Sequence, residues 1–149
     1  MTDVVNESKA LFYSPPDAMD PFVDPMIRPI CVAINRSGWV WTAESCQGHP
    51  DADQGGAWAA NVSPMLRLVT KDETIGRMFE CLTAAFLQAK SRLPRGELFE
   101  VRGMRVYPSS RPSPGWRETL IYLEAVNVYQ RNQALDVWKG FSELVSRPN

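Results

Sequence analysis

"GWVWTAESCQGHPDADQGGAWAANVSPMLRLVT", residues 38–70, decides the fold. It holds three short β-rich runs, WVWTAESC (39–46), AWAANVS (57–63) and MLRLVT (65–70). Between the first two lie Gly48, Pro50, Asp51, Asp53, Gly55 and Gly56, residues that pre-set or tolerate turn conformations. The pattern predicts that 39–46 and 57–63 pair as antiparallel neighbours joined through 47–56, with Pro64 separating the third run.

Helical periods flank this block. Upstream, Asp24 and Pro25 read as an N-cap followed by proline at the first helical position. Ile27, Ile30, Cys31 and Ile34 then recur on one face, and Gly38 supplies the stop. Downstream, Thr70 and Glu73 have the spacing of a capping box for a helix over 71–91. Its apolar residues Ile75, Met78, Phe79, Leu82, Ala85, Phe86 and Ala89 follow the 3.6-residue period.

The C-terminal part repeats the alternation. ELFEVRGMRVY (97–107) reads as a strand with a bulge at Gly103, PSSRPSPG (108–115) as an exposed hairpin loop, and RETLIYLEAVNVY (117–129) as a central strand. A last helix over 131–146 would bury Ala134, Leu135, Trp138, Phe141, Leu144 and Val145. Paired strands with helices between the pairs predict an α+β fold, with a largely antiparallel or mixed sheet of four to five strands and helices packed on it. Residues 1–24 read as an extended N-terminal arm with three prolines, and 25–149 as a single α+β domain.

A chain of 149 residues, 44% apolar and 22% charged, has the size and make-up of one soluble domain. No apolar run approaches the roughly 20 residues that span a bilayer, and the N-terminus lacks the pattern of a secretory signal. Cys31, Cys46 and Cys81 are odd in number and scattered, which points to reduced thiols in the cytoplasm. Net charge is −1, but residues 1–53 hold eight acidic and three basic side chains, and 54–149 hold nine and thirteen. Six arginines fall between 92 and 117, a cluster suited to phosphates, to an acidic protein surface or to a solvated strand face. With no nucleic-acid-binding motif and no overall basicity, direct nucleic-acid binding is not favoured.

The chemistry concentrates at the turn after the first run. Gly48 permits a positive φ, so the backbone folds tightly and is expected to present amide N–H groups outward. In the ligand-binding reading these amides act with Thr42, Ser45, Cys46 and His49. Arg105, Arg111 and Arg117 close over an anion, and Trp39, Trp41 or Trp58 stacks on a base. In the catalytic reading, Cys46 is a thiolate nucleophile activated by His49. In the metal reading, Cys46, His49, Asp51 and Asp53 supply sulfur, nitrogen and oxygen ligands, an incomplete signature for zinc. A fourth reading is a tight corner that binds nothing. No cofactor is implied.

The run from Ala33 to His49, with Asn35, Gly38, Thr42, Ser45, Cys46, Gly48 and His49 at the marked positions, resembles a pattern in small uncharacterised phage and prophage proteins. These carry a Thr-x-x-Ser-Cys-x-Gly-His turn after a short helix. More distantly it is similar to the Ser-Cys-Ser-Gly-Arg turn of the wybutosine-synthesising protein 3 family, which is associated with tRNA base modification; here His49 stands in place of its arginine. The resemblance implies a phage or mobile-element origin, and with it a counter-defence role, by binding a signalling nucleotide or by inhibiting a host protein complex. Three expectations follow: binding of a small anionic or nucleotide-like ligand at 42–49, a Cys/His enzyme acting on a nucleotide or RNA, or a protein–protein inhibitor of a host defence complex.

Overall fold

The computed structural model describes residues 23–48, 63–92, 101–109, 115–125 and 127–148. In chain order these form α1 (Arg28–Arg36), β1 (Trp41–Cys46), β2 (Met65–Lys71), a 3-10 turn (Asp72–Thr74), α2 (Ile75–Lys90), β3 (Val101–Ser109), β4 (Trp116–Leu123) and α3 (Val128–Val145). The strands make one antiparallel sheet in the order β1-β2-β4-β3, and the helices pack on it, so the fold is α+β. Among the described residues no helix is long and apolar enough to cross a membrane.

Alternation along the strands sorts their side chains onto two faces. Leu66, Leu68, Ile121 and Leu123 meet Ile34, Met78, Leu82, Trp138 and Phe141 in the main core beneath the helices. Trp41, Val69 and Trp116 form a smaller cluster on the other face, where the two indoles tilt at 56° with centroids 5.3 Å apart. The predicted stripe of the last helix is buried as expected, with Leu144 only partly so. Cys31 is a core residue.

Three helix starts differ from the sequence reading, each for a local reason. Asp24 does not cap α1: the N-cap position is Ile27, with no side-chain bond, because the Asp24 carboxylate accepts instead from the Gln47 amide at 3.1 Å. The Thr70–Glu73 box does not form either. Thr70 stays in β2 with its hydroxyl buried and unbonded, and the chain passes through a 3-10 turn before α2 begins at Ile75. The third start comes early, since β4 ends at Leu123 and α3 already begins at Val128. There the Asn127 side chain accepts from the Gln130 amide at 2.9 Å, and this cap outweighs the strand preference of Val128 and Tyr129. Asn127→Ala should therefore lower stability by about 1 kcal/mol, read from chemical denaturation.

β1 pairs with β2, Trp41 opposite Val69 and Cys46 opposite Met65, with an irregularity between Thr42 and Glu44. The expected pairing of 39–46 with 57–63 falls mostly on residues outside those described, as do most of the arm expected over 1–24 and of the loop expected over 108–115, whose first two residues, Pro108 and Ser109, continue β3. The bulge expected at Gly103 appears as a register shift between Val101 and Gly103. At Gly38, φ is +80°, the left-handed backbone that ends α1.

Candidate functional site

The turn after β1 is held by α1 on one side and α3 on the other. Asn35, in the last turn of α1, sits opposite Thr42 of β1. The Thr42 amide donates to Asn35 Oδ1 at 2.8 Å, and Asn35 Nδ2 donates to Thr42 Oγ1 at 3.0 Å. Both residues are buried, at 4% and 0% exposure. The irregularity after Thr42 also turns Ser45 inward, where it hydrogen-bonds with Cys31. Thr42 and Ser45, expected to offer hydroxyls to a ligand, thus face α1 and tie the strand to it.

The turn amides are likewise engaged within the fold. Gln47 makes a reciprocal pair with the segment before α1: its amide donates to Asp24 Oδ2, and its side-chain Oε1 accepts from the Met26 amide at 2.8 Å. Gly48 has φ +81°, as the turn requires, and its amide approaches Cys46 Sγ at 3.4 Å. Outward presentation of these two N–H groups is therefore not what the fold does; one meets a carboxylate and the other a sulfur.

The far side of the turn holds a group that local sequence patterns do not point to. Arg131, in the first turn of α3, donates from Nη1 to the Gly48 carbonyl at 2.9 Å and from Nε to Asn132 Oδ1 at 2.9 Å. It is 6% exposed. Both acceptors are neutral, and among the described residues no carboxylate pairs with it. A guanidinium removed from water without a counter-charge is costly, so natural folds place one where an anion completes it or where its hydrogen bonds suffice. The hydrophobic stripe did carry a signal: Arg131 precedes Ala134 and Leu135 by three and four residues and Trp138 by seven, on the face that α3 buries.

The pKa values of Cys46 and Cys31 are both shifted upward. Half-burial pushes the Cys46 thiol above the ordinary range, outweighing the Gly48 amide that favours its thiolate, and the Asp24 carboxylate adds to the rise. Burial pushes Cys31 up to about 11, partly offset by hydrogen bonds with Ser45 and Thr42. At neutral pH both are thiols. Iodoacetamide should accordingly alkylate Cys46 more slowly than a free cysteine, and faster as pH rises, while Cys31 should react only on unfolding. Intact-mass measurement over time checks both.

His49, Asp51 and Asp53 lie outside the described residues, so the Cys–His pair and the four-ligand set are each represented only by Cys46. Among the described residues no group of three or more His, Cys, Asp or Glu side chains could hold a metal ion.

Arg105 and Arg117, two of the three arginines expected to close over the turn, lie elsewhere on the sheet. Arg117 lies opposite Thr70, five residues along β2 from Met65, the partner of Cys46. That separation is ~17 Å along the sheet. Arg117 is also committed to Asp72, with Nε 2.6 Å from Oδ1. Arg105 is three strands from β1, through Leu120 and Arg67 to Glu44, or ~14 Å across the sheet. Arg111 is outside the described residues. Trp39 is occupied by its N–H to the Val145 carbonyl and by Arg77 over its ring, Trp41 is buried against Trp116, and Trp58 lies outside the description. Comparison of the chain with family models, curated proteins and solved structures finds no match.

Proposed function

We propose that the chain binds a small anionic or nucleotide-like ligand at the turn closing β1, with Arg131 as the counter-charge in place of the hairpin arginines. The observation that carries this reading is the buried guanidinium whose acceptors among the described residues are a carbonyl and an amide oxygen. Charge-assisted bonds to an anionic oxygen are roughly twice as strong as neutral ones, and guanidinium is the side chain suited to phosphate. The locks on either side support pre-organisation: Asn35 with Thr42, and Asp24 with Gln47, fix the turn before any ligand arrives. The raised Cys46 thiol favours binding over nucleophilic catalysis. The resemblance to phage proteins adds a setting, sequestration of a host signalling nucleotide, by association of origin.

Calorimetric titration with inorganic phosphate and with nucleoside mono-, di- and cyclic phosphates tests the proposal, after native mass spectrometry of freshly purified protein for any retained molecule. His49→Ala should weaken binding of the phosphate-bearing members in the same titration, with the melting temperature recorded beside it. Absence of binding to every member of the panel, with nothing retained on purification, would refute it.

A further inference from the structure

β3 is an outer strand, and the hydrogen-bonding phase of the sheet fixes which of its backbone groups face away from β4. At one end of the β2–β4 ladder the Leu123 amide donates to the Pro64 carbonyl at 3.1 Å; at the other the Asp72 amide donates to the Gly115 carbonyl at 2.9 Å. In the regular antiparallel register between them, Arg117, Thr119 and Ile121 therefore exchange bonds with β2. Glu118 and Leu120 are left to bond β3, where they stand opposite Tyr107 and Arg105. Met104 and Val106 consequently turn their N–H and C=O groups to the free edge. Pro108 confirms the phase: it stands opposite Arg117, where a donor toward β4 is not needed.

Among the described residues that edge is guarded at both ends and open between. The register shift at Val101/Gly103 and the missing N–H of Pro108 are the usual devices that blunt an outer strand. Between them Met104 and Val106 are 51% and 45% exposed, and Arg105 on the opposite face is exposed with no ion pair among the described residues. Two exposed apolar side chains beside outward backbone groups are what strand addition uses.

We infer that the outer edge of β3 accepts an extended peptide segment of a partner protein in which apolar and acidic residues alternate. Apolar residues match Met104 and Val106, and an acidic residue matches Arg105, because opposed strands set side chains of one face side by side. The strand sequence, VRGMRVYPS, has two arginines and no acid. Pairing with a second copy that engages Met104 and Val106 together would set Arg105 against its own twin at ~4.5 Å, a like-charge contact. The occupant is therefore an acidic strand and not a second copy.

Fluorescence anisotropy of a labelled nine-residue peptide of alternating Glu and Val, titrated with the full chain, reads this directly. Binding is expected, weakening with salt, and the Lys–Val counterpart should fail. Arg105→Glu should exchange the two preferences. Val106→Pro should weaken the acidic peptide by about tenfold or more without lowering the melting temperature, since the amide it removes has no partner among the described residues. If Val106→Pro does disturb folding, the charge reversal at Arg105 decides alone. No binding of the acidic peptide, equal binding by both variants, or a dimer in sedimentation that Val106→Pro dissolves would each overturn the inference.

Discussion

Asn35→Ala is expected to lower stability by about 2–4 kcal/mol, a large effect for a polar residue. The substitution removes the acceptor of the buried Thr42 amide and the donor to its hydroxyl together. An orphaned buried N–H costs more than the net worth of the bond it lost, because the amide has already given up water. Thr42→Val should be milder, about 1 kcal/mol, since the amide keeps Asn35 Oδ1. Asn35→Asp supplies a sign test. Burial raises the carboxyl pKa of the folded form above that of the unfolded chain, so the variant should be most stable below the unfolded carboxyl range and lose stability as pH rises. Chemical denaturation at acid and neutral pH measures all three. A loss under 0.5 kcal/mol for Asn35→Ala would mean that the pair does not hold β1 to α1.

Much of the fold was legible because burial writes periodicity into the chain. The 3.6-residue stripe from Ile75 to Ala89 marks one helix by pattern alone, and the apolar run over 117–129 marks the central strand, which the structure ends at Leu123. The helix starts were less legible, because an Asp or Thr suited to a cap is equally suited to another partner. Asp24 meets an amide 23 residues away, and Thr70 continues a strand. The turn residues stood out in the sequence as a unit, yet Thr42 and Ser45, expected to offer hydroxyls to a ligand, bond to α1. Local reading treats a hydroxyl beside a turn as exposed; Thr42 faces inward opposite core-facing Leu68, and the irregularity after it carries Ser45 to the same side. Arg131 illustrates the hardest case. Its partner is 83 residues away, and nothing in the local motif requires a guanidinium. Only its place on a buried stripe marks it, and that mark has meaning once α3 is known to pass the turn.

Arg131→Met is expected to separate ligand binding from stability. Methionine keeps most of the stem's bulk, removes the buried charge and gives up two hydrogen bonds to neutral oxygens. Replacing a buried ion that has no carboxylate partner among the described residues by an apolar side chain of similar volume is often neutral or stabilising, so the melting temperature should hold or rise. Binding of phosphate-bearing ligands should fall by about 10- to 100-fold, the worth of a charge-assisted bond lost without substitute. Arg131→Lys should retain part of the affinity, because an ammonium keeps the charge but not the planar fork. A functional group maintained at a cost to the fold has this signature: its removal improves stability and abolishes recognition. The opposite pattern, a loss of more than about 2 kcal/mol with ligand affinity untouched, would make Arg131 a structural clamp on the Gly48 carbonyl and remove the anion from the turn. Calorimetric titration and thermal denaturation on the same preparations distinguish the two.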